Sequence, residues 1–140
     1  PVSEGDIGAL RAEPPVPGLT DTLAGVREHG WSKAVARLRK VGLLGEEQDH
    51  KLDAHPLVRE HFGEPLRRKH PEAWREGHRR LYEHLKASAK PLPETTEEMG
   101  KLYAAVVHGC LAGRNQEALD EVHLLKASHE CCGGRDEELT

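Results

Sequence analysis

The sequence predicts a mainly α fold, and three observations predict it. Apolar residues recur at helical spacing over most of the 140 residues. Prolines and glycines punctuate the chain where such runs start or stop. One short interruption, near residues 41–54, has the period of a hairpin. Three helices and then a hairpin is the layout of a winged helix-turn-helix, and the rest of the chain reads as antiparallel helix hairpins of a helical-repeat type.

Each element has a local reason. Ser3 precedes Asp6, Ile7 and Leu10, so it reads as the cap of a first helix. Pro14-Pro15-Val16-Pro17-Gly18 ends that helix in a stiff connector. Thr20 to Val26 reads as a second short helix, broken by His29-Gly30. Trp31, Ala34, Val35, Leu38 and Val41 follow the i, i+3, i+4, i+7 rule of a third, with Gly42 at its C′ position. Val41–Leu44 and Lys51–Ala54 read as the arms of a small hairpin around the polar turn Gly45–His50.

After His55 the pattern is helical. Pro56 suits a first helical position, because its missing N–H would be unpaired there anyway. His55 therefore sits at a helix N-cap, where backbone N–H groups can meet an anion. Gly63 and Pro65 should weaken this helix. Pro71 starts the next, with Trp74, His78, Leu81, Tyr82 and Leu85 as its buried stripe. Lys90-Pro91-Leu92-Pro93 is a linker. Thr95 and Glu98 form a capping box. Met99, Leu102, Tyr103, Val106, Val107 and Cys110 then make one amphipathic face. Gly113 closes that helix, and Asn115 caps a last one with Leu119, Val122 and Leu125 inward. The parts are therefore 1–62, a winged-helix domain; 63–128, a helical repeat-like region; and 129–140, a flexible tail.

Composition narrows the function. Hydrophobic residues are 36% and charged residues 31%, so the core should be thin and the surface charged. Aromatics at 4% give little to stack bases on. No apolar run approaches the roughly 20 residues that span a bilayer, so no membrane contact is expected. The three cysteines, two of them adjacent, make a poor disulfide framework and point to a reducing cytoplasm. The chain opens on Pro1 rather than Met and enters a helical pattern at once, as a piece of something longer would.

Basic residues Lys33, Arg37, Arg39 and Lys40 lie on or beside the polar face of the third helix, where a winged helix would enter a DNA groove. Acidic Glu46, Glu47 and Asp49 in the wing and a net charge of -4 oppose that, so no nucleic-acid partner is expected. Arg59, Arg67, Arg68, Lys69, Arg75, Arg79 and Arg80 alternate with glutamates, as on an ion-paired helix face. His123, His129, Cys131 and Cys132, with Cys110, hold nitrogen and sulfur. Adjacent cysteines do not converge on a tetrahedral ion, and no metal site is assigned. No Gly-x-x-x-x-Gly-Lys-Ser/Thr, Gly-x-Ser-x-Gly or His-Glu-x-x-His motif is present, so no catalytic residue is assigned and the chain does not read as an enzyme.

The run Leu52-Asp53-Ala54-His55-Pro56-Leu57-Val58-Arg59-Glu60-His61-Phe62 resembles the Met-His-Asp segment that closes the winged-helix domain of NB-ARC/STAND signalling ATPases. Trp31 to Leu44 is similar to that domain's helix and strand. Trp74 to Leu85 looks like the first helices of the repeat region attached to it in bacterial members. Gly113 to Leu119 resembles a tetratricopeptide-type turn. Ala54 stands where the family has methionine, and Pro56 where it has aspartate. The resemblance implies that His55 contacts the β-phosphate of bound ADP. It implies a regulatory piece that senses ADP or ATP bound in the full-length parent, with no cofactor held by the fragment itself. Its partners would be the upstream nucleotide-binding domain and proteins met by the helical region. A DNA-binding winged-helix regulator and a plain helical adaptor are the alternatives.

Overall fold

A computed structural model describes residues 2–45, 51–90 and 93–120. It is mainly helical with a very small sheet. The elements run β1 (Val2–Ser3), α1 (Glu4–Arg11), a 3₁₀ turn (Asp21–Leu23), α2 (Glu28–Lys40), β2 (Lys51–Leu52), α3 (Pro56–Lys69), α4 (Pro71–Ser88) and α5 (Thr96–Leu111). Residues 115–120 are helical as well.

Local chemistry sets most helix ends. At α1, Ser3 Oγ accepts the Asp6 N–H at 3.2 Å, and Asp6 Oδ2 accepts the Ser3 N–H at 3.0 Å. That reciprocal pairing satisfies two otherwise orphaned groups. α2 and α5 end alike. Leu43 N–H reaches Leu38 O and Gly42 N–H reaches Arg39 O; Arg114 N–H reaches Gly109 O and Gly113 N–H reaches Cys110 O. Both are Schellman closures, and Gly42 and Gly113 take the φ of +75° and +82° they require. At α5, Thr95 Oγ1 accepts the Glu98 N–H at 3.2 Å, and Glu98 Oε2 accepts the Glu94 N–H at 2.9 Å.

Several expectations are corrected. The Thr20–Val26 helix is only a 3₁₀ turn. The Val16 carbonyl accepts the N–H groups of Leu19, Thr20 and Asp21, and Thr20 Oγ1 accepts the Val16 N–H, so the chain is committed to a tight loop. His29-Gly30 does not break a helix but lies in the first turn of α2. Arg11 fixes that early start: it donates to Val26 O at 2.8 Å, approaches Glu28 at 3.9 Å and stacks 4.6 Å over the Trp31 ring. α3 runs straight through Gly63 and Pro65. The hydrogen bond lost at Pro65 is to His61, an exposed residue whose carbonyl water can serve. α3 is thus continuous across position 62/63.

The extended segment near the N-terminus has no cue in the sequence pattern. β1 pairs antiparallel with β2, Val2 opposite Leu52 and Ser3 opposite Lys51. The expected pairing of the two arms is reduced to a Leu44–Ala54 bridge, flanked by Gly45 N–H to Asp53 O at 2.8 Å. The turn residues Glu46, Glu47 and Asp49 lie outside the described residues, as do Pro91, Leu92, Val122, Leu125 and the 129–140 tail.

The core is built on α4, against which α1, α3 and α5 pack. Tyr82 is its largest fully buried side chain, at 1% exposure. Small residues make the closest seams. A Cβ on Gly109 would stand 3.0 Å from Ala118 Cβ and 3.1 Å from the Tyr82 ring; one on Gly77 would stand 2.8 Å from Leu19. This packing turns α5 from its expected orientation. Leu102, Ala105 and Gly109 face inward, while Tyr103 and Val107 are 61% and 55% exposed and Cys110 is exposed. On the helix over 115–120, Ala118 is fully buried and Leu119, expected inward, is half exposed. Arg114 caps that helix, its carbonyl accepting the Ala118 N–H, so the cap falls one residue before the expected Asn115.

Candidate functional site

His55 is positioned by its backbone on both sides. Upstream, its N–H reaches Leu43 O at 3.4 Å, next to the Leu44–Ala54 bridge. Downstream, Pro56 occupies the first turn of α3. The residue is exposed and serves as the N-cap, Nδ1 accepting the Leu57 N–H at 3.3 Å. An accepting Nδ1 puts the ring proton on Nε2, so the second ring nitrogen is a donor. Exposed apolar side chains flank it, Leu43 before and Leu57 after.

The helix start offers less than expected. Pro56 has no N–H, Leu57 N–H is held by the ring, and the N–H groups of Val58 and Arg59 both go to His55 O, at 2.9 and 3.1 Å. Backbone amides are therefore already paired. An anion here would meet the Nε2–H and the positive end of the helix dipole. Arg59, one turn along α3 and exposed, adds a cation near that end.

Two described clefts lie elsewhere. One of about 460 Å³ opens between α1 and α2 over Ile7, Trp31, Val35 and Leu52; another of about 440 Å³ borders the connector after α1. His55 lines neither.

The two basic runs separate. On α2, Lys33, Arg37 and Lys40 are exposed along one face. On α4, Arg79 bridges Glu76 and Glu83 at 2.7 Å, and Arg114 reaches Glu83 at 3.2 Å. Hydrogen bonding from Arg79 holds the Glu76 carboxyl down at about 2. Arg80 goes further, donating to Glu76 and to the carbonyls of Leu10, Ala12 and Pro14.

One polar pair is invisible in the sequence. His78 on α4 and His108 on α5 bring their Nδ1 atoms to 2.7 Å, with Trp74 edge-on to His78 at 4.4 Å. His78 reads as part of an apolar stripe. Only the register of the α4–α5 hairpin, set by Tyr82 against Gly109, reveals its partner. Among the described residues no group of three or more His, Cys, Asp or Glu converges on a metal. His123, His129, Cys131 and Cys132 lie outside them.

No family model, curated protein or solved structure matches this chain.

Proposed function

We propose that this chain is a regulatory piece of a STAND/NB-ARC-type signalling ATPase: a winged helix that senses the ADP or ATP state of an upstream nucleotide-binding module and relays it to helical, repeat-like partner-binding elements. The observation that carries this reading is His55, exposed at the start of α3 with Nε2–H left free to donate, as a β-phosphate contact requires. The order of elements agrees with it. α1 and α2 precede the bridged arms 43–45 and 53–55, with β1 lying along β2 as a third ribbon of the wing. α3 then joins α4 through His70 alone, which gives the histidine a short covalent route to the helical part. A rigid shift of the winged helix on nucleotide exchange is the mechanism this geometry suits.

The test has two parts. The reading frame upstream of Pro1 is searched for a phosphate-cradling Gly-x-x-x-x-Gly-Lys-Ser/Thr loop, and ADP retention by that parent is then measured. His55→Ala should release ADP faster or activate the parent without a signal. His55→Asn keeps a capping side chain and should release ADP as fast as the alanine variant. Retention equal to wild type in both variants overturns the reading.

A second reading rests on the Lys33, Arg37 and Lys40 face of α2. If that face binds duplex DNA, affinity should fall steeply with salt, and Arg37→Ala with Lys40→Ala should flatten the slope by about 2. Absence of salt-dependent binding excludes it.

A further inference from the structure

The His78–His108 contact has the form of a proton bridge. The ring planes differ by 28° and the centroids are 5.0 Å apart. That separation equals the 2.7 Å between nitrogens plus one ring radius on each side, so both Nδ1 atoms lie on the line joining the rings. The rings therefore meet head to head rather than face on face. One nitrogen must donate and the other accept, and a metal ion has no room between them.

We propose that His78 and His108 form a latch between α4 and α5 that survives one added proton and opens on the second. Valence sets the proton count. In the neutral pair one ring carries its proton on Nδ1 and donates it; the other accepts at Nδ1 and carries its proton on Nε2. A first added proton goes to the free Nε2 of the donor ring. That ring becomes imidazolium and still donates, now through a charge-assisted bond. A second proton can bind only at the accepting Nδ1. Two N–H groups then face each other across the seam, on two cations.

The surroundings support a latch that is closed at neutral pH. Burial holds both imidazoles below their ordinary range, His78 at about 4 with the facing ring adding to the effect. From α1, the Asp6 carboxylate favours a charge on His108. Asp6 Oδ1 is buried without a hydrogen bond, 3.8 Å from Nε2 of His84 on α4. Among the described residues no charged group of α3 or of helix 115–120 acts on either ring. The His84–Asp6 contact joins α4 to α1 and lies outside the α4–α5 seam. Opening of α5 uncovers Tyr82 and the Gly109 seam.

The test uses the whole 140-residue chain. Imidazole nitrogen NMR should show a scalar coupling between the two Nδ1 atoms at neutral pH, persisting through the first protonation and vanishing at the second. Hydrogen exchange of α5 amides, corrected for its intrinsic pH dependence, should report an opening equilibrium that rises with the second power of proton concentration while the closed pair is neutral, and with the first power once the closed pair holds one proton. His78→Asn and His108→Asn should each reduce that order to one or less, while His84→Asn leaves it at two. Absence of the coupling, a first-order dependence in the wild type where the closed pair is still neutral, or second-order opening retained there in both latch variants overturns the proposal. If the asparagine variants do not fold, the wild-type coupling and proton order decide.

Discussion

Arg80 on α4 donates through Nη2 to the carbonyl of Pro14, a residue 66 positions upstream. The same guanidinium takes the carbonyls of Leu10 and Ala12 and the carboxylate of Glu76. It therefore satisfies the end of α1 and the start of the proline-rich connector together, with a side chain only 11% exposed. Lysine cannot copy this, because an ammonium lacks the planar fork. Arg80→Lys should cost about 2 kcal/mol and Arg80→Ala about 3, since hydrogen bonds from a charged donor are each worth roughly 1.5–3 kcal/mol. Urea unfolding midpoints check this; a loss below about 0.5 kcal/mol in both would show that the clamp contributes little.

Gly109 is a tight point of the α4–α5 seam. Gly109→Ala should destabilise by about 1–3 kcal/mol, because the new methyl is wedged between Ala118 and the Tyr82 ring. Gly63, with open space around it in an interior helical turn, is the contrast: Gly63→Ala should be neutral or stabilising by up to about 1 kcal/mol. Thermal unfolding of the two variants side by side gives the sign of each.

Among the described residues the Tyr82 hydroxyl is buried with no hydrogen-bond partner. A buried unpaired hydroxyl costs about 1–3 kcal/mol. Tyr82→Phe keeps the ring that fills the core and removes the orphan, so its unfolding midpoint should rise. A clear fall would mean that the hydroxyl has found a partner.

Stability should decline in two stages on acidification. His78 is held at about 4 by burial and by His108, whereas an unfolded imidazole titrates near 6.5. Between those values the unfolded chain binds more protons, so this contribution is complete above about pH 6.5 and is lost as pH falls toward 4. Glu76 is held at about 2 by hydrogen bonding from Arg79, then from Arg80. Its contribution is complete above about pH 4.5 and is lost as pH falls toward 2; about a third of that side chain is exposed, so roughly 1 kcal/mol is expected. Denaturant titrations at pH 7.5, 5 and 3 should show both steps, with His78→Asn diminishing the first and Glu76→Gln removing the second.

The parts of this fold that are legible from sequence are those set by neighbours along the chain. Ser3, Thr95, His55 with Pro56, and the glycines at 42 and 113 all terminate helices as their chemistry requires. What sequence hides is set by packing partners far away. The α5 stripe differs from its hydrophobic pattern because Ala105 and Gly109, not Tyr103 and Val107, face α4; such a pattern cannot weigh a glycine that admits a close approach. β1 is two residues long and takes its strand identity from β2. The cue for His55 is local, whereas His78 and His108 need the register of a hairpin.

His70 is both the C-cap of α3 and the N-cap of α4. A chain that changes direction over one position has just two backbone torsions there in which to bend. α4 is 18 residues long, about 27 Å at 1.5 Å per residue. A modest change in those two angles would swing the far end of α4 through several ångströms. The Gly18 turn presses on this elbow: a Cβ there would come within 2.9 Å of the His70 ring, so a side chain at position 18 would act as a wedge in the joint.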